Sequence, residues 1–295
     1  MLKIMVFLML PTLLLISRAE AQDLASSGAP AYVLKGTEVV STPSLRLGRD
    51  YEAIVSLPAD YAQSTRRYPV LYVTDADYAF PLIRAIANRV DRHGVGLQDF
   101  ILIGLSYAKG ENGAVSRNRD YTPGGAGVRP SPEQASGEYG QAAAYLQFLR
   151  EEALPVLERR YRIDPSRRIF VGHSYGALLG LHVLFTQPSL FSHYILGSPS
   201  LWFDQHQTFA TERRYAAQHK TLAARVRVFI GAEETVKQGR GRDMVGDLAR
   251  FSAQIRQRNY LGLDWASSVL PGEDHATVFP LLITRGLMWA LPETR

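Results

Sequence analysis

Five residues, Gly172-His173-Ser174-Tyr175-Gly176, most constrain what this chain can fold into. An apolar run, Arg168-Ile169-Phe170-Val171, leads into them, and a helix-like stretch from Ala177 to Leu184 follows. A serine between two glycines, where a buried strand gives way to a helix, reads as a sharp turn. Its glycines leave room for a strained backbone that lifts the hydroxyl off the sheet. The N-terminus of the helix behind it favours developing negative charge. Glycine supplies 24 of the 295 residues, so the five letters gain their meaning from that strand-then-helix setting. Ser174 is the candidate nucleophile.

The same alternation runs along the chain. Apolar runs at residues 68–73, 100–105, 194–197, 226–230 and 265–270 read as buried strands. Residues 37–41 and 51–57 read as two more, joined by a turn at Leu47-Gly48-Arg49. Helix-like segments lie at residues 81–90, 137–161, about 243–257 and 276–291. Residues 107–135 break the pattern with clustered glycine and proline, and a loop of that length reads as a lid or binding wall. Strands alternating with helices imply an α/β fold, with a mainly parallel central sheet and helices on both faces. No repeat or low-complexity linker divides residues 22–295, which read as one domain.

The first residues read differently. Lys3 precedes an almost wholly apolar stretch at residues 4–16, and Ala19-Glu20-Ala21 forms a small-x-small site before Gln22. This is the pattern of a secretory signal peptide over residues 1–21, with an uncleaved anchor as the alternative. Removing it takes one unit from the formal net charge of +5. A balance of +4 and the lack of any lysine or arginine run argue against nucleic-acid binding. Cysteine is absent, which excludes disulfides, thiolate metal sites and cysteine nucleophiles. No metal-ligand spacing occurs, no cofactor is expected, and stable membrane association is not expected after cleavage. An exported chain without cysteine suits a bacterial periplasm.

A serine hydroxyl needs a base, and the base needs a carboxylate to orient it. In a fold with this turn the order is Ser, acid, His. His275, in Pro271-Gly272-Glu273-Asp274-His275 just past the last expected strand, is the candidate base. The acid is expected past the strand at residues 226–230, where Glu233 and Glu234 are adjacent. Glu234 is preferred, with Glu233 as the fallback. The oxyanion donors expected are the backbone N–H of Tyr175 and, from the turn after residues 70–73, that of Asp77.

Several motifs together resemble the putative-esterase family of α/β-hydrolases. They are Tyr68-Pro69-Val70-Leu71-Tyr72 before an Asp-bearing turn, Arg117-Asn118-Arg119-Asp120-Tyr121-Thr122-Pro123, the serine turn, Ser198-Pro199-Ser200-Leu201-Trp202 and Gly272-Glu273-Asp274-His275. The family includes S-formylglutathione hydrolase, mycolyltransferases and ferric-siderophore esterases. The resemblance implies the α/β-hydrolase fold. Within the family, the arginine-bearing and SPSLW runs are most similar to periplasmic trilactone esterases acting on catecholate siderophores such as enterobactin or salmochelin. That resemblance implies a substrate-binding role for Arg117. In the family the strand-end turn often reads Asp-Gly, whereas this chain has Asp75-Ala76.

A ferric tricatecholate is large, flat-faced and anionic, and a mouth walled by arginine and aromatic rings suits it. Arg117, Tyr121 and Trp202 are the candidate substrate-binding residues, with Arg119, Tyr78 and Phe80 as further wall. The sequence thus points to a serine esterase acting on a small-molecule ester, a ferric catecholate siderophore in the first instance. A broad carboxylesterase or feruloyl esterase is the first alternative, and a non-catalytic siderophore-binding protein the second.

Overall fold

Tyr68-Pro69-Val70-Leu71-Tyr72-Val73 is buried at every position, which a strand tolerates only with neighbours on both edges and cover on both faces. The computed structural model, which describes residues 32–93, 96–124, 139–238 and 241–293, places it in the middle of an eight-stranded sheet. The strands are β1 (Thr37–Ser44), β2 (Arg49–Ser56), β3 (Tyr68–Val73), β4 (Ile101–Leu105), β5 (Ile163–His173), β6 (His193–Gly197), β7 (Thr221–Gly231) and β8 (Leu261–Leu270). Their order is β1-β2-β4-β3-β5-β6-β7-β8. Only β2 runs against the rest, being antiparallel to both β1 and β4 while every other pairing is parallel. The residues from Gly36 onward form one compact unit. The expected leader at residues 1–21 lies outside the described residues.

The helices are α1 (Ala76–His93), α2 (Gly113–Tyr121), α3 (Ala142–Phe148), α4 (Leu154–Arg160), α5 (Tyr175–Thr186), α6 (Phe203–Gln218), α7 (Met244–Arg258) and α8 (Val278–Ala290). One turn of wider π-helix, Leu149–Ala153, joins α3 to α4. Alternation along the strands assigns the faces. Tyr68, Val70 and Tyr72 of β3 join Phe170, Tyr194 and Val228 in a core with α3, α5 and α7. The opposite face takes α1 and α8, where Gly104 leaves room for Ala76 and Phe80, and Gly286 for Ile195. The expected parallel sheet, covered by helices on both faces, is therefore the observed one.

Two segments depart from the expectation. Residues 107–135 are not a continuous loop, because residues 113–121 form α2, capped by the Asn112 side chain accepting from the Ala114 N–H at 2.9 Å. Residues 125–138, where the expected helix at 137–161 would begin, lie outside the described residues. The second departure is α6, absent from the sequence reading. Its Asp204, Gln205 and His206 have φ of 49°, 50° and 64°, so the segment presents no single helical face to read.

The strand order positions the site. β3 lies between β4 and β5, so the chain turns one way from β3 and the other way from β5. A crevice opens beyond the carboxyl ends of parallel strands where the winding reverses. Asp75 follows the end of β3, and Ser174 follows the end of β5.

Candidate active site

Ser174 has φ 59° and ψ −115°, a conformation that costs a non-glycine residue about 1–3 kcal/mol. Two bonds hold it there: its N–H donates to the Gly197 carbonyl of β6 at 2.9 Å, and its carbonyl accepts from Leu178 in the first turn of α5 at 3.0 Å. Both flanking glycines are needed for space. A Cβ on Gly172 would overlap the backbone of Gly176, and one on Gly176 would overlap Thr74 Oγ1. The hydroxyl therefore rides on the crest of the sheet, at the N-terminus of a helix whose first N–H groups lack intrahelical acceptors.

The acid sits where β7 ends. Glu234 closes a tight turn, its N–H donating to the Gly231 carbonyl at 3.2 Å, and its own carbonyl accepts from Met244 and Val245 at 3.0 and 3.2 Å. This ties it to the start of α7 and leaves it 3% exposed. Its Oε1 accepts from the Ser198 hydroxyl at 2.5 Å and from the Gly231 N–H at 2.9 Å. Oε2 pairs with His275 Nδ1 at 2.6 Å. Glu233 donates its N–H to the Glu273 carbonyl at 3.0 Å, and no bond joins its carboxylate to His275. The geometry thus separates the two adjacent glutamates in favour of Glu234.

His275 is presented by a capped turn. Asp274 Oδ1 accepts from the N–H groups of Ala276 and Thr277, each at 2.8 Å, and these donors hold its carboxyl below the usual range. The His275 ring lies 4.6 Å from that of His173, the residue before the candidate nucleophile, so base and serine share one crest. In this conformation Ser174 Oγ is bonded to Ser200 Oγ at 3.3 Å rather than to the imidazole. Catalytic bonds of this kind often close only once substrate is bound. Burial, then the neighbouring His275 and Arg117, push the His173 pKa down to about 3, so His173 is neutral.

Across the crest, Asp75 is fully buried with φ 56°. Its Oδ1 accepts from the Tyr107 hydroxyl at 2.6 Å and from Arg117 Nε at 2.9 Å, while Oδ2 takes Arg117 Nη2 at 3.3 Å. Arg117 Nη2 also reaches the His173 carbonyl at 3.5 Å. Its guanidinium lies 5.3 Å from the Tyr175 ring centre and 5.9 Å from that of Tyr121. Burial works against this charge, but Asp75 more than offsets it and the arginine stays ionised. Tyr121, 1% exposed, receives the Asp75 N–H on its hydroxyl at 3.3 Å.

These contacts correct the expected mouth wall. Arg117 faces inward and is paired, Tyr121 and Phe80 are core, and Arg119 is buried between Asp120 at 2.9 Å and Glu111 at 2.6 Å. The cause is α2. Once residues 113–121 coil, Arg117 is carried against Asp75, and a buried carboxylate is stable only with such a partner. Of the expected wall, Tyr78 stays exposed against Phe279, and Trp202 is half-buried 6.0 Å from Tyr175.

Asp77 is not in a loop either. It is the second residue of α1, with its side chain exposed, and Ala79 N–H to the Asp75 carbonyl at 3.1 Å is the first helical bond. The N–H groups of Ala76, Asp77 and Tyr78 therefore lack helical acceptors. A Cβ on Gly176 would sit 3.3 Å from Asp75 Oδ2, so the starts of α1 and α5 adjoin at the crest. The donors expected from Tyr175 and Asp77 thus lie in the first turns of two neighbouring helices. Sequence reasoning missed Ser198 and Ser200 as partners of Glu234 and Ser174. It also missed Asp75 as the anchor of Arg117. The only signal for the serines was the Ser198-Pro199-Ser200 run, which says nothing of where its hydroxyls point.

Comparison with known proteins follows the same lines. The model of the family described as Putative esterase matches residues 44–276. Ferri-bacillibactin esterase BesA of Bacillus subtilis is 29% identical over 88% of this chain and 91% of that protein. The siderophore enterobactin esterase of Emericella nidulans is 25% identical over 81% of this chain and 88% of its own length. Among solved structures, the siderophore hydrolase EstB from Aspergillus nidulans superposes with a TM-score of 0.74 at 27% identity, covering 90% of this chain and all of that one.

Proposed function

We propose, because this chain belongs to the putative-esterase family and is a carboxylic ester hydrolase, that it opens the ester ring of a ferric catecholate siderophore by a Ser174–His275–Glu234 mechanism. The observation that carries the chemistry is the 2.6 Å bond between Glu234 Oε2 and His275 Nδ1 beside a strained, glycine-flanked serine. Glu234 is an acceptor, so Nδ1 carries the proton and the Nε2 lone pair is free to act as base. Rotation of the Ser174 hydroxyl away from Ser200 delivers its proton to Nε2 as Oγ attacks the ester carbonyl. Negative charge on the carbonyl oxygen is met by the Tyr175 N–H and by the first turn of α1, with Asp77 N–H as donor. The imidazolium, stabilised by Glu234, returns the proton to the leaving alkoxide as the ring opens. Water then repeats the cycle on the acyl-serine.

The substrate class is supported by the relatives, two of which are named for esters of bacillibactin and enterobactin. The test is mass spectrometry of products after incubation with ferric and iron-free enterobactin, beside rates on short p-nitrophenyl esters. Linear trimer, dimer and monomer from the wild type, and none from Ser174→Ala, are expected. A clear preference for the short p-nitrophenyl esters rejects the siderophore substrate in favour of a broad carboxylesterase, and full cleavage by Ser174→Ala rejects the serine mechanism. Export to the periplasm is part of the proposal, motivated by residues 1–21. Cell fractionation with N-terminal sequencing tests it, and a mature chain beginning at Met1 in the cytoplasm rejects it.

A further inference from the structure

We infer that Arg242, laid over the indole of Trp202, is a specificity-determining residue that binds an anionic group on the substrate beside the nucleophile. The inference deepens the reading above and rests on it for the identity of the ester, but not for the charge preference. The cation expected from sequence at this mouth was Arg117, and the structure neutralises that charge internally with Asp75. The site's attraction for an anion must then come from another group.

Arg242 has the required placement. It lies between Gly241, whose φ of 82° makes the turn, and Asp243, whose Oδ1 caps α7 by accepting from the Gly246 N–H at 2.9 Å. Two residues on, Met244 donates its N–H to the Glu234 carbonyl at 3.0 Å, so the segment that carries Arg242 is bonded to the residue that orients His275. From there the guanidinium reaches 3.8 Å from the Trp202 ring centre. Trp202 in turn lies 6.0 Å from the ring of Tyr175, the residue after Ser174. Ser200, two positions before Trp202, bonds the Ser174 hydroxyl at 3.3 Å. Arg242 is thus connected to the nucleophile through the rings of Trp202 and Tyr175 on one side and to the acid through one backbone bond on the other.

Among the described residues no carboxylate lies within ion-pair distance of Arg242, whereas Arg117, Arg119, Arg250 and Arg258 each have one. A guanidinium held over an indole by its carbon can still turn N–H groups outward, which suits bidentate capture of a carboxylate or catecholate oxygen pair. Half-burial against the indole strengthens such a contact over one made in open water.

The experiment compares pairs of esters that differ in charge. One pair is ferric against iron-free enterobactin. The other is mono-4-nitrophenyl glutarate against 4-nitrophenyl butyrate. Arg242→Gln is expected to lower the anionic-to-neutral ratio of kcat/KM about tenfold in both pairs, chiefly through KM, and Arg242→Lys to restore part of it. Raising salt should shrink the wild-type ratio and leave the Arg242→Gln ratio nearly flat. Equal losses on anionic and neutral esters, or an unchanged ratio, overturn the inference. Should neither form of enterobactin be cleaved while Arg242→Gln still collapses the glutarate preference, the siderophore reading fails and the role of Arg242 stands.

Discussion

Replacing Glu234 by glutamine tests the mechanism at the point where the structure makes the sharpest demand. Glu234 Oε1 faces two donors, the Ser198 hydroxyl at 2.5 Å and the Gly231 N–H at 2.9 Å. Ser198 can turn its proton away, but the Gly231 N–H is fixed by the backbone. The glutamine carbonyl must therefore take the Oε1 position, because an amide NH2 there would face a donor. That leaves the NH2 where Oε2 now meets His275 Nδ1 at 2.6 Å. A donor at this point forces Nδ1 to accept, which moves the ring proton to Nε2, the atom that should act as base. The variant thus keeps shape and volume but holds the wrong tautomer, and it loses the charge that stabilises the imidazolium. Losses for such a change are on the order of 10³–10⁴ in kcat, about 4–5.5 kcal/mol of transition-state stabilisation. The assay is kcat on a p-nitrophenyl ester from pH 6 to 9, with circular dichroism to confirm the fold. Glu233→Gln, beside it, is expected to stay within about threefold of wild type. Retention of more than a tenth of wild-type kcat by Glu234→Gln would refute the reasoning, as would a larger loss in Glu233→Gln.

Gly172→Ala, whose Cβ would overlap the Gly176 backbone, is expected to cost about 3 kcal/mol or to prevent folding, read from the urea midpoint. A stable, active variant would show that the strand-to-helix turn relaxes freely. Asp75→Asn removes the charge that Arg117 faces at 2.9 Å and should destabilise by about 3 kcal/mol in the same assay, whereas Asp77→Asn, on an exposed helical position, should be near neutral. Burial is the first cause holding the pKa of His173 at about 3 and those of His182 and His193 at about 4, all below the ordinary value near 6.5. The unfolded chain takes up protons on these groups that the folded chain refuses. Their contribution is therefore complete above about pH 6.5 and is lost as pH falls toward 4 and below. Each adds up to about 1.4 kcal/mol per pH unit to the slope, so a urea midpoint that stays flat between pH 6.5 and 5 would contradict their burial as neutral rings.

What the sequence determined by itself was local or periodic. The run of residues 168–176 determined a strand, a turn and a helix because only glycine fits beside the serine, a demand made within nine residues. Apolar patterning determined all eight strands, and with them a mainly parallel sheet, though it missed the first four or five residues of β5, β7 and β8. The position of His275 after the last strand followed from chain order alone. Tertiary structure decided everything that depended on which way a side chain turns. Two adjacent glutamates carry the same local signal, and only the Gly231 turn and the start of α7 aim Glu234 rather than Glu233 at His275. Arg117 and Tyr121 sit in a glycine- and proline-rich stretch that reads as loop. The coil of α2 draws both inward, because the buried carboxylate of Asp75, 42 positions earlier, needs a counter-charge. Arg242, in a short polar segment with no pattern, gains its meaning from an indole 40 positions away, a contact set by the packing of α6 and α7 rather than by any nearby residue.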